Sequence, residues 1–214
     1  GGAGGVTPMA FNDLYLWSHD PPIHTLSIGA ARPEDFDEHV EAAMLLPRAR
    51  ELVEPVEATL RDMMVRELGQ DWVSGWWRGC PGCYTNDAGV HVAHMAWLWS
   101  LCKAWGMFSY AADRYDNIKG NTTAWDDSKT PDENRAGWGF VPGTQLRPGT
   151  LEAVEAAFAP DAPMKERVMA AIQELHAWLS AENRDEMLAK LEDMGMASAY
   201  DLQPWVPYPE RNRG

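Results

Sequence analysis

Four side chains in one short stretch have types and spacing that suit metal chemistry. Cys80, Cys83, His91 and His94 follow one another as C-x2-C-x7-H-x2-H. Two thiolates and two imidazoles are a donor set for tetrahedral zinc. His91 and His94, three apart on a helix, can face one way. The linker between the two pairs is short beside the usual zinc-finger spacing, so the same cysteines also read as reduced or structural thiols. Three cysteines cannot all pair, which argues against a disulfide-built secreted fold and for a reducing compartment.

A second chemistry lies upstream. His24–Ile28 (HTLSI) is β-branched and apolar and reads as a short strand. Gly29 ends it, and Pro33 opens a helix whose first turns carry Glu34, Asp35, Asp37 and Glu38. A strand, a glycine turn and a helix N-terminus form an anion site, because free backbone N–H groups and the helix dipole both favour negative charge. Arg32 adds a guanidinium suited to phosphate. An ordinary βα connection is the other reading of this spacing. His19, His24 and His176 stand alone and read as locally satisfied residues.

The elements that would position these groups are mostly helical. Asn12–Ser18 and the run from Pro33 to residue 46 show helical spacing of apolar residues. A further helix is expected from Pro55 to Leu68, with Gly69 as its cap. Gly75–Gly89 is irregular. A long helix follows from Val90 to Ile118, broken at Gly106. Gly120–Thr150 has no periodicity. Pro163 opens a helix ending near Ser180, and Asn183 with Glu186 forms a capping box for another bearing Met187, Leu188, Leu191 and Met194. The tail from Pro204 is Pro-rich and is expected on a surface, its own or a partner's. The single strand is exposed on both edges, so it either pairs with material outside the chain or is not a strand.

Composition limits the function. The 214 residues carry 18 basic and 32 acidic side chains, a formal charge of −14. That sign opposes nucleic-acid binding and a polybasic membrane anchor. No apolar run is long enough for a transmembrane helix. Gly1–Gly5 reads as a flexible lead or as the broken end of something longer. The 11 tryptophans are several times the usual share, and six fall between Trp72 and Trp105. They point to a core or interface of large side chains, or to a platform for an aromatic ligand or pigment.

A longer run adds a resemblance. His24–Ala30 with Ala31–His39 resembles the last barrel strand and following helix of the aldo/keto reductases, and Ala10–His19 resembles the helix before them. Gly89–Val92, the Trp-rich helix and Tyr110–Tyr115 resemble the helical extension of the ferredoxin-like, cyanobacterial-type subgroup. Trp138–Gly143 resembles its closing aromatic Pro-Gly segment. The likeness spans residues 9–143; residues 150–214 resemble nothing named. It implies a mainly α chain: a remnant of the last βα unit of a (β/α)8 barrel, then a helical extension and long irregular loops. The divisions expected are 1–48 as barrel remnant, 49–149 as Trp-rich extension with irregular loop, and 150–214 as helical tail.

The resemblance also implies a cofactor. Gly29, Ala31, Arg32, Asp35, Glu38 and His39 take the places that hold the 2′-phosphate and adenine end of NADP(H). Arg32 stands one place late, Asp35 replaces a Gln, and His39 replaces an Asn. The family's catalytic Asp, Tyr, Lys and His belong to a part of the barrel that has no copy here, so no catalytic residue is assigned. Asn86 and Val90 stand where the subgroup's third and fourth cysteines would be, so a four-Cys iron–sulfur cluster is not supported.

The function expected is a non-catalytic accessory or structural subunit of a larger complex with other protein subunits, with an organellar photosynthetic or respiratory assembly as one setting. The alternatives are the C-terminal part of an NADP-dependent reductase active only with its other half, and a zinc-binding interaction module. The compartment expected is cytoplasmic or organellar, in a plastid or mitochondrion.

Overall fold

The computed structural model describes residues 6–21, 23–29, 32–118 and 143–180, with Ala189. The described residues are mainly helical, and no sheet forms among them; their only β pairing is one isolated parallel bridge, Val90 to Thr144. The chain divides into two compact units, Gly1–Met63 and Met64–Gly214.

The first unit opens with α1, Pro8–Trp17. It starts four residues earlier than the apolar spacing suggested. Thr7 is the N-cap, its Oγ1 accepting the Ala10 N–H at 3.2 Å, and Pro8 occupies the first turn. Helix α2, Pro33–Met44, begins at its proline as expected. A 3₁₀ turn, Leu46–Arg48, leads into α3, Ala49–Leu68, inside which the division between the units falls.

Helix α3 corrects the expected start at Pro55, which lies inside the helix. Proline removes one helical N–H there. The helix nevertheless extends upstream because Ala49 and Val53 are buried with Leu14, and Phe11, Tyr15, Leu45 and Leu52 pack around them. The expected strand His24–Ile28 is also corrected. Residues 23–29 run as irregular chain, with no ladder to any described residue. A β-branched sequence cannot form a strand without a neighbouring edge to pair with.

In the second unit, α4 (Gln70–Gly75), α5 (Val92–Trp105), α6 (Phe108–Asp116), α7 (Leu151–Ala156) and α8 (Lys165–Leu179) share one core. Helix α5 packs on α6 and α8. The expected break at Gly106 separates α5 from α6. Its φ of 67° is the left-handed cap conformation that glycine adopts without strain, and its N–H returns to the Cys102 carbonyl at 2.9 Å. Helix α4 was not foreseen within the chain before the irregular segment. Helix α8 closely matches the expected helix from Pro163. The capping box at Asn183, the helix after it and the tail from Pro204 lie outside the described residues, as does most of the irregular stretch from Gly120.

The tryptophans build much of this core. Trp72 is fully buried, and its Nε1–H donates to Ser100 Oγ at 2.9 Å. Its ring lies 5.9 Å from Trp76 and 5.0 Å from Trp99. The Arg167 guanidinium lies 4.8 Å from the Trp72 ring centre, while its Nη2 donates to the Leu68 carbonyl at 2.6 Å and so satisfies the end of α3.

Candidate functional site

The cysteine and histidine element begins after α4 and ends on the first turns of α5. Its loop is organised by buried Asn86. The Asn86 amide nitrogen donates to the carbonyls of Gly82 (2.7 Å) and Val90 (3.0 Å), and its Oδ1 accepts the Val90 N–H at 2.9 Å. Val90 itself is fully buried in the core. The two places without cysteine therefore carry a polar clasp and a packing residue.

Gly143 closes the element from the far side. A Cβ built there would stand 2.8 Å from Cys83 Cβ and 2.9 Å from His91 Cβ, at a φ of 96°. Only a residue without a side chain fits. This wedge brings Cys83 and His91 to one place, and the His91 and His94 rings lie 5.4 Å apart. Cys80 turns elsewhere: its thiol donates to the Trp76 carbonyl at 3.3 Å. Among the described residues no three His, Cys, Asp or Glu side chains converge as a metal would require.

The electrostatics follow from burial. Loss of hydration pushes the Cys80 thiol up to about 11 and raises Cys83 as well. The His91 imidazole is lowered by the same cause. His94 falls to about 4 through burial first, then through the nearby charges of His91 and Arg114. His91 Nδ1 and His94 Nε2 are buried without hydrogen-bond partners among the described residues. Burial thus favours the neutral thiol and the neutral imidazole at each of these four side chains.

At the start of α2 the polar groups are already engaged. Asp35 Oδ2 accepts the Arg32 backbone N–H at 3.0 Å, and Oδ1 accepts the Arg32 guanidinium at 3.1 Å. A carboxylate thus occupies the position that favours an anion, and it ties up the arginine. Glu38 accepts a hydrogen bond from Thr7 Oγ1. His39 is buried against Asp13. Gly29 is exposed, with no atom of the described residues within 4 Å of a Cβ built there, and Ala31 lies outside the described residues. A nucleotide phosphate here would have to displace Asp35 from Arg32.

The residue that sequence reasoning passed over is Asp13. It is 1% exposed, and its Oδ2 lies 2.5 Å from Nδ1 of His39, which is 8% exposed. Its signal was available: Asp13 is the acidic residue on a face otherwise formed by Ala10, Leu14 and Trp17.

Comparison with family models, curated proteins and solved structures gave no match for this chain.

Proposed function

We propose that this chain serves as a non-catalytic accessory or structural subunit of a larger protein complex, docked through its first unit. One observation carries the reading. Phe36, Val40 and Met44, spaced four apart on α2, are 51%, 62% and 77% exposed. They form an apolar row in water on the same unit as residues 23–29, which have no ladder partner among the described residues. Ile23 and Ile28 of that segment are exposed too.

A helix whose apolar row is bare gains about 25 cal/mol for each Å² of it that a partner covers. An extended segment gains a ladder when a sheet edge reaches it. The occupant that answers both is another polypeptide presenting a β edge beside an apolar surface. Glu34, Asp37 and Glu41 flank the row and are exposed, so that surface carries Lys or Arg at its rim. A second copy of this acidic helix would meet like charges. The resemblance to the last βα unit of a barrel supports the same geometry, and the pairing of Arg32 with Asp35 favours a docking role over nucleotide binding.

The test is native mass in the protein from its own source, with photo-cross-linking from a benzophenone side chain introduced at Met44, measured with Val40 intact and in Val40→Glu. The expected result is a complex whose cross-link maps to a β edge with basic neighbours and is lost in the variant. A chain that remains alone, or a cross-link unaffected by Val40→Glu, overturns the reading. A partner carrying the reductase Asp, Tyr, Lys and His would assign the chain to a split NADP-dependent reductase instead.

A further inference from the structure

Four tryptophans form a continuous file through the second unit. Trp77 is 50% exposed, and its ring centre lies 6.0 Å from that of Trp76 in a perpendicular contact. Trp76 stacks on buried Trp72 at 5.9 Å, and Trp72 lies 5.0 Å from Trp99. The file ends on a base: Trp99 Nε1–H donates to Glu174 Oε2 at 2.6 Å.

Core packing explains ring contact. A buried indole N–H also needs an acceptor, and at the end of the file that acceptor is a carboxylate, a base able to take the proton. Indole is among the side chains most readily oxidised by one electron, and the resulting radical cation is strongly acidic at nitrogen. Cations oppose that radical at two points. Lys103 Nζ lies 5.6 Å from the Trp99 ring centre, and the Arg167 guanidinium lies 4.8 Å from that of Trp72. Trp72 offers no escape, because its N–H faces the Ser100 hydroxyl, a weak base. Trp99 differs in having a carboxylate within proton-transfer distance.

We infer that this file is an electron relay, which carries oxidising equivalents from Trp77 at the surface to a proton-coupled trap at Trp99 and Glu174. The oxidant is a diffusible oxygen-centred radical of the peroxyl class. It gains one electron and takes a proton from water, giving a hydroperoxide and a hydroxide ion. Trp77 supplies the electron and is refilled in turn through Trp76 and Trp72 from Trp99. Trp99 loses one electron, and its Nε1 proton passes to Glu174, leaving a neutral indolyl radical and a neutral carboxylic acid. Trp77, Trp76 and Trp72 return to their starting state.

The test uses the full chain with a ruthenium polypyridyl photo-oxidant tethered at Arg78→Cys, next to Trp77. Transient absorption after a flash distinguishes the neutral from the cationic tryptophan radical. The wild-type file is expected to yield the neutral radical. Trp76→Phe, which keeps an aromatic ring but resists oxidation, is expected to lower that yield about tenfold or more, a barrier rise of about 1.4 kcal/mol. Trp76→Tyr restores it, which separates relay from packing. Glu174→Gln is expected to leave the radical cationic. Equal neutral-radical yield in wild type and Trp76→Phe, or an unchanged protonation state in Glu174→Gln, overturns the inference.

Discussion

Asp13 on α1 and His39 on α2 are joined by a 2.5 Å hydrogen bond between Oδ2 and Nδ1, with both side chains buried. The pair is a buried polar link between two helices that pack on each other. Removing one member leaves the other buried without this hydrogen bond, which costs about 1–3 kcal/mol. Asp13→Ala and His39→Ala are each expected to destabilise the first unit by that order in urea unfolding. The double variant should cost less than the sum of the two, since neither orphan remains. Additive losses would show that the two residues act independently.

Asn86 holds both backbone groups of Val90 as well as the Gly82 carbonyl. Asn86→Ala leaves these groups without their partner in a buried loop, and a loss of about 3 kcal/mol is expected. Hydrogen exchange should show the Val90 amide losing protection before the helices do. Unchanged protection at Val90 would mean that another group replaces the clasp.

His94 makes stability depend on pH in a stated direction. Its folded value is about 4, below the ordinary 6.5 of an unfolded histidine. Between those values the unfolded chain binds a proton that the folded chain does not. This contribution is present above about 6.5 and is lost as pH falls toward about 4, with no further change below. His91, lowered by burial, acts in the same sense. The urea midpoint should therefore fall across that window, and less steeply in His94→Gln. A ring titration of His94 near 6.5 by NMR would contradict this.

The cysteines should be quiet in the native protein. Burial pushes Cys80 up to about 11 and Cys102 up to about 12, so neither is a thiolate at pH 8. Alkylation requires the thiolate. Labelling by iodoacetamide is expected only at the rate at which the chain opens, and it should accelerate together at both sites in denaturant. Rapid labelling of native Cys80 would show a reactive thiol.

Much of the helical pattern was legible locally. Pro33 with its acidic first turns marked α2, Gly106 marked the α5–α6 break, and the spacing of Val168, Ile172, Leu175 and Leu179 marked α8. These signals act within a few residues and need no distant partner. The tryptophan excess likewise marked a large-residue core. The start of α3 was not legible, because Pro55 is a strong local stop signal. Only the burial of Ala49 and Val53 against Leu14 carries the helix past it.

The candidate sites divide the same way. Sequence spacing by itself determined that Cys80, Cys83, His91 and His94 lie near one another along the chain, and that Arg32 and Asp35 share the first turn of α2. The tertiary structure decided how they are used. The Gly143 wedge, 52 residues beyond His91, sets Cys83 against His91, while Cys80 faces Trp76. The bond from Trp99 to Glu174 and that from Asp13 to His39 join residues 75 and 26 positions apart. No local propensity encodes such pairs, because a polar side chain costs free energy to bury unless a partner meets it, and these partners meet only when the helices pack.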